Sequence, residues 1–71
     1  MITREQAIAS ARARVLADGV MSLEGRDTTA ALEDETWHVS FPFLDAAVRG
    51  GEPHVYIDAE SGVVSRIVYT Q

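Results

Sequence analysis

The chain has 71 residues, 46% of them hydrophobic and 24% charged, with a formal net charge of −5. That length holds one domain, which buries only about 60% of the surface its unfolded chain exposes. All six basic residues are arginines spread among eleven acids, so the basic patch that a nucleic-acid binder needs to release counterions is absent. There is no cysteine, which excludes a disulfide framework and a thiolate metal site. No apolar run approaches the roughly 20 residues of a membrane span. Met1-Ile2-Thr3-Arg4-Glu5 carries no apolar leader core, so a cytoplasmic location is expected, with the periplasm as the alternative.

In chain order, residues 3–18 read as a helix. Thr3 and Gln6 have capping-box spacing, and Ile2 with Ala7 occupies the positions of a hydrophobic staple. Glu5 complements the dipole in the first turn. Ile8, Ala11 and Val15 form the apolar stripe, Leu16 widens it, and Gly19 is a left-handed stop. Residues 20–26 fit a short strand with Val20 and Leu23 partly buried, and residues 27–32 a loop or irregular strand.

Residues 35–41 read as a half-buried antiparallel strand. Trp37, Val39 and Phe41 alternate with Thr36, His38 and Ser40, and Pro42 ends the run. Phe43 to Arg49 link onward to a turn at Gly50-Gly51, with strand or a helical turn at Ala46 to Val48. A hairpin follows: His54 to Asp58, a turn, then Val63 to Tyr69, before a Thr70-Gln71 tail. Gly62 suits a type I turn closed by a bulge. The turn leaves the register open by one residue, so either Val64 and Val68 or Ile67 and Tyr69 face the core.

The chemistry-bearing residues are few. His38 and His54 are the only histidines, on strand positions opposite the apolar set; a zinc site needs three or four ligands, and these two with Asp58 assemble one only if their strands are neighbours, so exposed strand-face histidines are the reading. Asp58 to Gly62 lacks the alternating ligands of a calcium loop and reads as a turn. Gly50-Gly51 lacks the remainder of a phosphate-binding loop. Ser40 shares a strand face with His38 but comes with no oxyanion motif, and the acids show no catalytic pairing. The reading is therefore non-enzymatic, without cofactor or metal, since an enzyme of this kind requires a concave pocket. Trp37 is assigned to the core over the helix, with interface anchoring as the alternative, and Trp37→Ala is expected to cost about 3–5 kcal/mol.

The chain carries two family likenesses. The opening Ile2-Thr3-Arg4-Glu5-Gln6-Ala7-Ile8-Ala9, the strand around Trp37-His38-Val39, and Val55-Tyr56-Ile57-Asp58-Ala59-Glu60-Ser61-Gly62-Val63-Val64 together resemble a PepSY domain. The segment from Gly50-Gly51 through Ile57-Asp58 to Val68-Tyr69-Thr70-Gln71 is similar to the C-terminal part of bacterial immunity proteins of the nuclear-transport-factor fold. The first resemblance implies a cystatin-like arrangement with a peptidase-inhibiting or regulatory role. The second implies neutralisation of a toxin by binding it.

The expected fold is thus a single α+β domain over residues 1–71, one N-terminal helix packed on three or four antiparallel strands. Its core is Ile8, Ala11, Val15, Leu16, Trp37, Val39, Phe41, Val55, Ile57 and part of Val64 to Val68. The expected function is a protein-binding module, inhibitory or immunity-like, with a toxin or peptidase as partner; self-association as a homodimer is the alternative. Tyr56, His54, Arg66, Glu33, Asp34 and Glu35 are the expected contacts.

Overall fold

A computed structural model describes residues 1–48 and 50–70. Arg49 and Gln71, which belong to the expected linker and tail, lie outside them.

The chain runs α1 (Arg4–Asp18), β1 (Thr29–Glu33), β2 (Thr36–Ser40), β3 (Pro53–Asp58) and β4 (Val64–Tyr69). Both expected helix ends hold. The Thr3 hydroxyl accepts from the Gln6 amide at 3.1 Å, and the Gln6 side chain accepts from the Thr3 amide at 2.9 Å. Gly19 closes the helix at φ 66°, donating to the Val15 carbonyl. The strands form one antiparallel meander in the order β1-β2-β3-β4. This is the expected α+β arrangement, with the strand number settled at four.

The helix lies across one face of the sheet, above β1, β2 and β3. Its contact seam is Ala7, Ala11 and Val15, all fully buried, a spacing of four that lets the helix approach closely through alanine. Ile8 is half-buried beside that seam. Leu16, expected in the core, is 61% exposed. It follows Val15 by one residue, about 100° around the helix, and a seam this narrow does not reach it.

Under the helix, Val39, Val55 and Ile57 are fully buried, and Phe41 seals the sheet just past β2. Across the strands Val39 faces Val55, which faces Ile67; Trp37 faces Ile57, which faces Val64. The open register is thereby decided: Ile67 and Tyr69 pack toward the core, and so does Val64. Val64 joins them because a bulge sets Tyr56 opposite Arg66 and Ile57 opposite Val64, leaving Ser65 as the extra residue. Trp37 is half-buried at the margin of the core, its indole N–H directed 3.3 Å to the Ile2 carbonyl.

Three boundaries differ from the sequence reading. Residues 20–26 form bends and a turn, not a strand, and Val20 is 58% exposed whereas Leu23 is buried. Arg26 organises this stretch: its guanidinium donates to the Ser22 and Phe41 carbonyls at 2.8 and 3.0 Å and lies 4.0 Å over the Phe43 ring. The stretch expected as loop or irregular strand contains the regular edge strand β1. Glu35, expected to open the second strand, sits instead in a two-residue β1–β2 turn with Asp34, at φ 64° and 47°. Ala46 to Val48 resolve as a turn, closed by the Val48 amide on the Asp45 carbonyl at 3.0 Å.

Candidate functional site

Strand alternation sends every second side chain to the face that the helix leaves uncovered. On β2 those are Thr36, His38 and Ser40; on β3, His54, Tyr56 and Asp58; on β4, Arg66 and Val68. Register then builds rows. Ala31, His38, Tyr56 and Arg66 stand side by side across all four strands, and Thr29, Ser40, His54 and Val68 form the next row.

The first row is a stack. The His38 ring lies 4.5 Å from the Tyr56 ring at an interplanar angle of 15°, and the Arg66 guanidinium sits 5.4 Å from the Tyr56 centroid on β4. Aromatic stacking and cation–π attraction hold Tyr56 in one orientation on an otherwise open face. Between the rows, His38 Nε2 stands 2.9 Å from His54 Nδ1. Each imidazole has a carboxylate on its outer nitrogen: Glu33 Oε1 at 3.5 Å from His38 Nδ1, and Glu52 Oε1 at 3.1 Å from His54 Nε2. The face therefore carries a continuous line Glu33, His38, His54, Glu52, with the two imidazole side chains 26% and 22% exposed.

Of the expected contacts, Tyr56, His54 and Arg66 share this face, and Glu33 reaches it from β1. Asp34 and Glu35 do not join them; they form the tip of the β1–β2 hairpin, exposed to solvent. Glu52 is the residue the sequence reading missed. Its position two residues before His54 on an extended segment was the available signal, since that spacing places both on one side of the chain. Ser40 is buried and shares a hydrogen bond with the Thr29 hydroxyl, so it is engaged across the β1–β2 pair and not with His38.

Asp58 stays apart from the histidines and serves the turn. Its carboxylate accepts from the Glu60 and Ser61 amides at 2.8 and 3.0 Å, which, Ser61 first, hold it below the usual carboxylate range. The Gly62 amide closes the same loop on the Asp58 carbonyl at 2.8 Å, with Gly62 at φ 76°. Elsewhere, the Tyr69 hydroxyl donates to Asp18 at the end of the helix, 2.7 Å away.

Among the described residues no pocket is found and no helix is long and apolar enough to cross a membrane. Comparison of the chain with protein-family models, with curated proteins and with solved structures finds no match.

Proposed function

We propose that this protein is a non-catalytic recognition module that binds another protein through the uncovered face of its sheet, in an inhibitory or immunity-like role. The observation that carries the reading is the preorganised row His38, Tyr56, Arg66. An aromatic ring is fixed between an imidazole and a guanidinium, on the sheet face opposite the helix. Tyrosine and arginine are the side chains that dominate binding energy at protein interfaces, and fixing them beforehand lowers the ordering cost of association. The sheet offers a broad surface of this kind. The inhibitory or immunity-like character is supported by the resemblance of the helix opening and the C-terminal hairpin to those families.

The test is affinity capture from cells that produce the protein, comparing wild type with Tyr56→Ala and Arg66→Glu. Arg66 is exposed and carries no core contact, so its substitution leaves the fold in place. A partner retained by wild type should be lost from both variants, the tyrosine truncation weakening binding by about 2 kcal/mol or more. Capture equal across the three proteins would remove the open face from the reading.

Self-association is the second reading, and one observation favours it. Among the described residues no strand lies beyond the outer edge of β1, and Leu32 on that strand is 47% exposed. An edge without lysine, proline or a bulge is a template for strand addition. A molecular mass that doubles with concentration in light scattering, and returns to monomer on Ala31→Pro, is the expected result for a dimer built on that edge.

A further inference from the structure

Two apolar rows cross the sheet beneath the helix and run off one side of it. Val64, Ile57, Trp37 and Leu32 form one row, and Ile67, Val55, Val39 and Ala30 the other. Each ends on β1, at a leucine 47% exposed and at a half-buried alanine. The backbone of β1 is open at the same two places. The Asp27 amide donates to the Pro42 carbonyl at 2.8 Å, and the β1–β2 register continues from that bond. Alternation along the strand then turns the backbone groups of Thr29, Ala31 and Glu33 toward β2, and those of Ala30 and Leu32 outward. Among the described residues no strand pairs with them. The opposite edge is less open, because the bulge at Ser65 interrupts β4.

We propose that the β1 edge takes an extended segment of another protein as a fifth, antiparallel strand, and that this segment alternates apolar and basic side chains. The outward N–H and C=O groups of Ala30 and Leu32 supply its main-chain hydrogen bonds. Residues opposite Ala30 and Leu32 lie on the helix side, where they lengthen the two apolar rows and cover Leu32. The intervening residues lie on the other side, opposite Ala31 and Glu33. Charge selects their sign. From Asp27 to Trp37 the chain carries Asp27, Glu33, Asp34 and Glu35, all exposed, and no basic residue. The net charge of −5 steers a basic segment in the same direction.

A second copy suits this edge less well. Antiparallel pairing about Ala31, the centre of β1, brings the Asp34–Glu35 turn of each copy to Thr28 and Asp27 of the other, acid against acid at both ends. The inference concerns the edge and not the open face, so it stands if that face binds nothing. It competes with self-association for the same strand.

The test adds two short synthetic peptides to the full chain at low salt, one alternating lysine with valine and one alternating glutamate with valine, both capped at their ends. Saturable binding of the lysine peptide is expected, with the Ala30 and Leu32 amide resonances shifted and their hydrogen exchange slowed about tenfold or more. The glutamate peptide should not bind. Methylating the valine backbone nitrogens removes the donors that face Ala30 and Leu32 while leaving the protein untouched, and should abolish binding. Glu33→Lys should weaken binding about fivefold, and added salt should weaken it too. No binding of the lysine peptide, equal binding of both peptides, binding that survives methylation, or shifts confined to the His38, Tyr56 and Arg66 row would overturn the proposal. So would Ala30 and Leu32 amides that become protected as the protein alone is concentrated, the mark of a second copy on the edge.

Discussion

Tyr69 shows how one side chain joins two ends of the fold. Its hydroxyl donates to Asp18, which also accepts from Arg14 at 3.1 Å. Burial, and then the bond to Asp18, pushes the Tyr69 phenol up to about 12. The Tyr69 hydrogen bond, opposed by partial desolvation and aided by Arg14, holds Asp18 below the usual carboxylate value. The two signs differ. A phenol raised in the folded state stabilises the fold fully below its ordinary value near 10, and that contribution is lost as pH rises from about 10 to about 12. A depressed carboxylate contributes above the ordinary range and loses its contribution as pH falls. In an absorbance titration of the phenolate, wild type minus Tyr69→Phe should therefore give a midpoint near 12 while circular dichroism reports intact structure. A midpoint near 10 in folded protein would show that the Asp18 contact does not persist.

At the scale of elements, the two hairpins solve the same problem unequally. The β3–β4 turn is fully equipped: Asp58 caps the following amides, the Ser61 hydroxyl accepts from the Val63 amide at 3.2 Å, and a glycine takes the left-handed position. The β1–β2 turn places Asp34 and Glu35 in that same left-handed region without a glycine. A side chain there costs about 1 kcal/mol or more, and glutamate is poorly suited to it. Glu35→Gly should raise stability by about 1 kcal/mol, read as a higher urea midpoint with an unchanged slope. No gain would mean that the turn relaxes out of this geometry in solution. The tight two-residue connection holds Glu33 opposite Thr36 and delivers its carboxylate to His38, so the strained turn is also what assembles one end of the histidine line.

At the scale of the whole molecule, a sheet with one covered face has a thin core, and the burden falls on few residues. Phe41 is the largest fully buried side chain, whereas Trp37 keeps part of its indole in water. The greatest loss therefore moves from the tryptophan to the phenylalanine. Phe41→Ala should cost about 3–5 kcal/mol and leave little folded protein, since small domains hold only a few kcal/mol in reserve. Trp37→Ala should cost less, about 1–2 kcal/mol, because only part of its area leaves water on folding. Chemical denaturation of both variants checks the order, and a larger loss at Trp37 would place the indole deeper than its indole N–H bond to Ile2 indicates.

The helix from its threonine cap to its glycine stop, the Trp37-Val39-Phe41 alternation and the Asp58–Gly62 turn were all legible in the amino acids, because each depends on residues within a few positions of one another. What needed the fold were contacts set by register and crossing. Leu16 looked apolar enough for the core, but only the placement of the helix on its alanines decided that it faces water. Gly50-Gly51 read as a plain turn; in the fold a Cβ on Gly51 would stand 1.7 Å from the Thr70 carbonyl oxygen, a reason that lies nineteen residues downstream. The two histidines announced nothing by spacing, being sixteen residues apart, and the antiparallel pairing of Ser40 with His54 and His38 with Tyr56 alone brought their nitrogens together. Local chemistry fixes elements because it acts along the chain; the site arises between strands, and the distance between strands is written in no single segment.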